Sequence, residues 1–373
     1  MKSNYKKLGD YIRLVDERNK DDKVTRLLGV SIEKKFIESI ANTIGTDMSI
    51  YKIVRKGQFA YGPVTSRNGD KVSIALLQED ECIISSSYTV FEIIDTTKLM
   101  PEYLNLWFKR PEFDRYARFH SHGSAREIFD WEEMCNVELP VPEISEQKKI
   151  VEAYNTIERR IELKRQINDN LVSTAKTILQ QFITSNDCLS KQPIGDICLE
   201  VKAGGTPSRT TPSYWENGMY YWVKNGEVKN NIITGAEELI SQLGYENSSA
   251  KLVKKNSVLM AMYCVSTPQL AYTDIEVTTN QAVCAMTTQN KAQAAYLYYY
   301  LMFFGQELVN DANGSAQINL SKETISNYSI PMPDDITIES MKLVENIEYR
   351  TQISKEIDAL TTLAQLLIGK LSH

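Results

Sequence analysis

The side chains of this 373-residue sequence that could do chemistry do not fall at the spacings that chemistry requires. There is no GxxxxGK[ST] phosphate loop and no GxGxxG fingerprint. The Asn/Asp-Pro-Pro-aromatic motif of an adenine methyltransferase is also missing. Pro333-Asp334 with Glu339 and Lys342 approaches a nuclease pattern, but Glu339 and Lys342 are three apart where that pattern needs two. Acids at the mouth of a helix are better explained by the helix dipole. His120 and His122 could face one way and bind a metal. With His373 the only other histidine and no clustered carboxylates, a polar loop is the better reading. The aromatic run Tyr296, Tyr298, Tyr299, Tyr300, Phe303, Phe304 could stack on bases, yet its helical spacing favours a core. The six cysteines (82, 135, 188, 198, 264, 284) show no CxxC and read as reduced, mostly buried thiols. The sequence thus predicts no catalytic residue and no metal site, which sets aside a self-contained nuclease or methyltransferase.

Composition fits a folded soluble protein, with 42% hydrophobic and 24% charged residues. No apolar run approaches a membrane span, and MKSNYKKLGDYIRL lacks the apolar core of a signal peptide, so a cytoplasmic location is expected. A net charge of −6 argues against a simple nucleic-acid coat protein.

Two long periodic stretches organise the chain. In the first, Ile150, Tyr154, Ile157, Ile161, Leu171, Ala175, Ile178 and Phe182 alternate at steps of four and three, the seam of a coiled coil. Lys164 and Asn168 fill seam positions midway; a partner contact is one reading, and fixing of register is the one favoured. Such a helix spans roughly 57 Å and cannot bury its seam alone. Its partner is read in Ile336–Leu371, where Ile353, Ile357, Leu360, Ala364, Leu367 and Leu371 repeat the alternation. The approaches match too. His122-Gly123-Ser124-Ala125-Arg126 and Val137-Glu138-Leu139-Pro140-Val141-Pro142 recur 191 residues later as Asn313-Gly314-Ser315-Ala316-Gln317 and Tyr328-Ser329-Ile330-Pro331-Met332-Pro333. Leu8-Gly9-Asp10 and Ile194-Gly195-Asp196 mark the two starts.

The chain therefore reads as a tandem repeat: a globular domain at 1–142, a helix at 143–184, a second domain at 185–334 and a helix at 335–373. Each domain begins with strand-like stretches. In the first these are VTRLLGVSIEKKFI, YKIVRKGQFAYGPV, KVSIALL and ECIISSSYTVFEII, with Asn68-Gly69 as a hairpin turn. Each then ends in a helical stretch, PEYLNLWFKRPEFDRYARFHS and AAYLYYYLMFFGQELVNDA, giving an α+β class. The strand-like interiors differ strongly, as two recognition modules with different targets would.

On these motifs the chain resembles the specificity subunit of type I restriction-modification systems over its whole length. The segments that carry the resemblance are Leu139-Pro140-Val141-Pro142 with Glu146-Gln147, Ile330-Pro331-Met332-Pro333, and Gly204-Gly205-Thr206-Pro207-Ser208 followed by Tyr214-Trp215 and Tyr221-Trp222. The paired Gly-Ser-Ala tracts belong with them. The second helix departs from the pattern, having Asp334-Asp335-Ile336-Thr337 where the first has its Glu-Gln entry. The resemblance implies a non-catalytic subunit whose two target-recognition domains read the halves of a split double-stranded DNA sequence. It implies an antiparallel helix pair, related by a pseudo-twofold axis, that holds the domains apart and docks two modification subunits. Those subunits would carry S-adenosylmethionine, and a restriction subunit, where present, would bring ATP and Mg; this chain would hold no cofactor.

Candidate DNA-binding residues follow from residue type, since Arg, Asn, Gln, Ser and Thr read base edges while Lys, Arg and backbone N–H groups meet phosphates. In the first domain they are Arg67, Asn68 and Lys71 at a turn, and Arg115, Arg118, His120, His122, Ser124 and Arg126. In the second they are Lys202, Gly204, Gly205, Thr206, Ser208 and Arg209, then Asn313, Ser315 and Gln317; the glycines would let backbone approach phosphate. An ordinary solvated turn is the alternative for each alone. Because the chain is acidic, DNA binding by it alone is expected to be weak and salt-sensitive, rising on assembly. The rival reading is a coiled-coil scaffold whose two domains bind protein partners.

Overall fold

The computed structural model describes residues 5–39, 46–66, 69, 71–123, 127–186, 189–263, 266–311 and 319–372. The chain forms two compact units, residues 1–160 with 360–373, and residues 161–359. The unit boundaries fall inside the helices Ile144–Ser185 and Leu343–Gly369, so each helix contributes to both units.

In the first unit a four-stranded antiparallel sheet runs in the order Ile12–Val15, Thr89–Ile93, Phe59–Tyr61, Ile74–Leu76. The period-two alternation of strands divides its side chains between two cores. Phe59, Tyr61, Ile74, Leu76 and Phe91 join Tyr103, Leu104 and Phe108 of the helix Pro101–Phe108. Ala60, Ala75 and Val90 join Leu28, Val30 and Cys82, from the paired strands Leu28–Val30/Phe36–Glu38 and Lys52–Val54/Cys82–Ile84. The stretch expected as one helix from Pro101 is two, Pro101–Phe108 and Pro111–Phe119. Pro111 has no N–H to continue the first helix and instead opens the second. Asn68 of the expected hairpin turn lies outside the described residues, but the strands flanking that turn do pair.

The second unit repeats this sheet. Cys198–Ala203, Val283–Thr288, Val258–Ala261 and Leu270–Thr273 stand in the same order, and a fifth strand, Asn231–Ile233, adds in parallel to the last. The helix Lys291–Phe304 buries Tyr296, Tyr298 and Tyr299 fully and Tyr300 to 9% exposure, so the aromatic run is core.

The repeated motifs have physical causes within each unit. Tyr103 OH donates to the Pro140 carbonyl at 3.1 Å, and Tyr296 OH to that of Pro331 at 2.7 Å. These prolines end the strands Glu138–Pro140 and Ser329–Pro331, which pair with Tyr5–Lys7 and Lys191–Pro193. A Cβ on Gly9 would stand 2.8 Å from Cys135 Cβ, and one on Gly195 would stand 3.3 Å from the Ser326 carbonyl oxygen. The glycine in each domain start thus lets a turn sit against the short helix, Trp131–Asn136 or Lys322–Asn327.

The entries to the long helices differ. Gln147 is fully buried, donating to the Lys98 and Pro142 carbonyls and accepting from Met100 N, each at 2.8 Å. Ile338, 191 residues later, is buried among apolar groups instead. There Asp334 caps the helix by accepting from Thr337 N at 2.8 Å, a helix-mouth role for that acid. The second helix is also interrupted, as Asp335–Ser340 and then Leu343–Gly369, with Lys342 at φ +55° between them.

The seam is more varied than a coiled coil alone. Ile150, Tyr154, Ile157, Ala364, Leu367 and Leu371 pack into the first unit's core, and Ala175, Ile178 and Phe182 into the second's. Within the second unit the helices run antiparallel, and the polar seam residues have specific partners. Lys164 pairs with Glu356 at 2.7 Å, Asn168 accepts from Arg350 Nε at 2.9 Å, and the Leu171 carbonyl accepts from Asn346 at 2.9 Å. Ile161 and Ile353 are buried, while Leu171, Ile357 and Leu360 are half-buried. No described helix is long and apolar enough to cross a membrane.

Candidate nucleic-acid interface

In each unit the first bridged residue past the polar tract pairs at the same place on the sheet. Past the strand Phe59–Tyr61, Val64 bridges Ile128, and Thr65 N donates to the Glu127 carbonyl at 3.0 Å. Past the strand Val258–Ala261, Tyr263 bridges Asn319, and Leu320 N donates to the Met262 carbonyl at 2.8 Å. Ile128 and Asn319 are 191 residues apart, so the two bridges are equivalent. Of the candidates, Arg67, Asn68, Ser124, Arg126, Asn313, Ser315 and Gln317 lie outside the described residues.

In the first unit the turn and the tract come together, with Thr65 Oγ1 donating to Ser121 Oγ at 3.0 Å. Arg115 pairs with Glu112 at 3.0 Å, Arg118 with Glu127 at 2.5 Å, and Lys71 reaches Glu33 at 3.9 Å. Glu133 lies beside both histidines, 3.1 Å from His120 Nδ1 and 3.9 Å from His122 Nε2. His120 also stacks on Tyr116, with ring centres 4.2 Å apart. Gly123 sits at φ +133°, a conformation that only glycine adopts readily. Sequence reasoning missed Glu133, and missed Phe119, which is 82% exposed at the end of its helix beside His120. Arg115, Arg118 and Lys71 face carboxylates, so a phosphate must compete for them. At 39–69% exposure the arginine–glutamate pairs hold their partners weakly enough to exchange.

The second unit builds its candidates around a loop clamped by two tryptophans. Trp222 Nε1 donates to the Gly205 carbonyl and Trp215 Nε1 to that of Ser208, both at 3.0 Å. The Arg209 guanidinium lies 3.5 Å over the Trp215 ring and pairs with Glu238 at 2.5 Å. That hydrogen bond holds the Glu238 carboxyl below its ordinary range, and Lys224 at 3.1 Å adds to it. Ser208 and Thr210 share a hydroxyl hydrogen bond of 2.8 Å. Thr206 Oγ1 bonds Gln281.

Two expectations change here. A Cβ on Gly204 would stand 2.1 Å from the Thr279 carbonyl oxygen, and one on Gly205 would stand 2.1 Å from Ser249 Oγ. The absent side chains are thus taken up by internal packing of the loop, which explains both glycines without a phosphate. Lys202 likewise turns inward, donating to the Leu252 carbonyl at 2.6 Å and pairing with Glu200 at 2.7 Å. Beside it Lys251, Tyr263, Gln281 and Lys322 line a concavity of about 440 Å³. Sequence reasoning missed these four, which come from three separate loops and the start of the helix Lys322–Asn327 and share no spacing.

The family model for the type I restriction modification DNA specificity domain matches residues 29–172 and 190–359. The chain is similar to the specificity subunit of the type I restriction enzyme EcoR124I/EcoR124II of Escherichia coli, at 23% identity over 159 residues, which are 41% of this chain and 39% of that protein. It is similar to the MjaIX specificity subunit of Methanocaldococcus jannaschii, at 22% identity, covering 75% of this chain and 71% of that one. A third relative, the HindI specificity subunit of Haemophilus influenzae, is 20% identical, with 92% of each chain covered. Among solved structures, the type I restriction-modification S subunit from M. genitalium shares the fold, with a TM-score of 0.57 and 14% identity over 99% of this chain and 96% of that one.

Proposed function

Because the chain belongs to the type I restriction-modification DNA specificity family, we propose that its two units each read one half of a split double-stranded DNA target. The observation that carries this reading is the shared frame with unlike filling. The two units share equivalent bridges, Val64–Ile128 and Tyr263–Asn319, while the side chains around them differ. One unit offers Arg118, His120 and Phe119, and the other Thr206, Ser208 and the stacked Arg209. A common scaffold presenting different donors suits two different half-sites.

In this reading the chain chooses the sequence and partner subunits perform the chemistry. Two methyltransferase subunits carry S-adenosylmethionine and, where present, a restriction subunit brings ATP and Mg. The outward faces of the long helices suit docking, because Leu163 and Ile167 on one and Leu363 and Leu366 on the other stand 37–59% exposed. The assembly would work in the cytoplasm.

The test is to reconstitute the chain with a methyltransferase subunit and map the modified sites on random DNA. A split sequence that vanishes when this chain is omitted supports the reading. Modification without sequence preference, or of a continuous site, contradicts it.

A further inference from the structure

The fifth strand of the second unit's sheet has no counterpart among the described residues of the first unit. Asn231–Ile233 runs parallel to Leu270–Thr273, with Ile232 opposite Tyr272. Its carbonyls are held from the helices, Asn231 O by Tyr298 OH at 3.4 Å and Asn230 O by Arg350 Nη2 at 3.2 Å. In the first unit the strand equivalent to Leu270–Thr273 is Ile74–Leu76, at the same place in the sheet order. No described strand pairs with its outer edge, and beside that edge lies a cavity of about 490 Å³.

Two positions in the wall of this cavity match positions that hold the fifth strand, with the hydrogen-bonding sense reversed. Asn105 stands where Tyr298 does, two residues after the matched Tyr103 and Tyr296. Its Oδ1 is buried without a hydrogen-bond partner. Leaving such an acceptor alone is unfavourable, and an occupant with an N–H would satisfy it. Glu158 stands where Arg350 does, three residues before the matched, buried Ile161 and Ile353. The second unit therefore offers a phenol and a guanidinium to its strand, whereas the first unit offers an amide oxygen and a carboxylate. The lining charges agree with this. Arg26 pairs with Glu79 at 2.6 Å and Lys34 with Asp114 at 2.5 Å. That leaves Lys35 and Lys109 against Glu38, Glu102 and Glu158, an excess of acid.

We propose that this cavity receives an extended segment of a partner polypeptide, which adds a strand to the Ile74–Leu76 edge and carries a basic side chain toward Glu158. Strand addition supplies main-chain hydrogen bonds, and the wall residues select the side chains. The first unit thereby takes from a partner what the second unit supplies for itself. The site uses none of the candidate DNA contacts and stands independently of them.

A fluorescent peptide with the sequence of residues 228–235, Val-Lys-Asn-Asn-Ile-Ile-Thr-Gly, tests this by anisotropy against the full chain. It has the strand character and, in Lys229, the basic residue. Saturable binding is expected, weakened about tenfold by Asn105→Leu and again by the surface change Glu158→Gln, with a control peptide carrying Ile232→Pro failing to bind. About tenfold is 1.4 kcal/mol, within the range for one hydrogen bond to a buried group. Thermal unfolding of each variant checks that it remains folded. No saturable binding up to millimolar peptide, or equal binding by wild type and Glu158→Gln, overturns the proposal.

Discussion

Arg350 donates from Nε to Asn168 Oδ1 at 2.9 Å, tying the two long helices together inside the second unit. The arginine is 1% exposed, and its other nitrogens donate to Tyr299 OH at 3.0 Å and to the Asn230 carbonyl at 3.2 Å. These acceptors are neutral, and the Tyr298 and Tyr299 rings each lie 5.6 Å from the guanidinium. A buried cation held by dipoles alone depends on every one of them. Asn168→Ala, which strands Nε, is expected to lower stability in urea unfolding by about 1–3 kcal/mol. The double variant with Arg350→Met should cost less than the sum of the single changes by at least about 0.5 kcal/mol. Strict additivity would show that the pair does not act as a unit.

Gln147 satisfies three backbone groups from a fully buried position, the task that Ile338 does not perform in the second repeat. Gln147→Ile copies that apolar residue but leaves Met100 N and the Lys98 carbonyl without their partner. Destabilisation of about 2–4 kcal/mol is expected, measured as a lower urea midpoint. A neutral outcome would mean that the clasp contributes nothing.

Lys109 donates to Tyr154 OH at 3.0 Å, and burial lowers its pKa below the ordinary lysine value. The unfolded chain therefore holds this proton more tightly than the folded one. Burying the charge costs stability at neutral pH, and the cost fades as pH rises from the folded pKa toward the unfolded value of about 10.4. Met302 stands at the matching position of the second unit. Lys109→Met should raise the urea midpoint at pH 7, and the gap to wild type should narrow toward pH 10. A constant gap across that range would contradict the burial penalty.

Trp215 supports the Arg209 guanidinium at 3.5 Å and holds the Ser208 carbonyl. Trp215→Leu should free that arginine and relax base preference in one half-site, while Trp215→Phe, which keeps a ring, should do so less. Each well-placed base contact is worth about 1–3 kcal/mol, so discrimination at one position is expected to fall about tenfold or more. Competition binding to single-base variants of the target reads this out. Unaltered preference for Trp215→Leu would remove the clamp from recognition.

The frame was legible because its residues answer to local demands that recur. Gly9 is required and Gly195 favoured by close packing, Tyr103 and Tyr296 answer to a proline carbonyl, and Asp334 to a helix start. Contacts between distant stretches were less legible. Arg350 meets Asn168 across 182 positions, and Thr206 meets Gln281 across 75, with no spacing to announce either. Gly204 and Gly205 are ambiguous for the opposite reason, since glycine that admits a phosphate and glycine that admits a neighbouring chain look alike in sequence. The break before Pro111 was the one error that the sequence itself could have prevented.

The central claim is that two units read two half-sites whose separation the long helices set. Its most direct measurement is the map of modified DNA sites after one heptad is inserted into each helix, after Arg160 and after Ala359, where the units meet in sequence. Seven residues add about 10 Å, up to about three base pairs at 3.4 Å each. The account predicts both half-sites unchanged and a longer spacer between them. Altered half-sites with an unaltered spacer would contradict it.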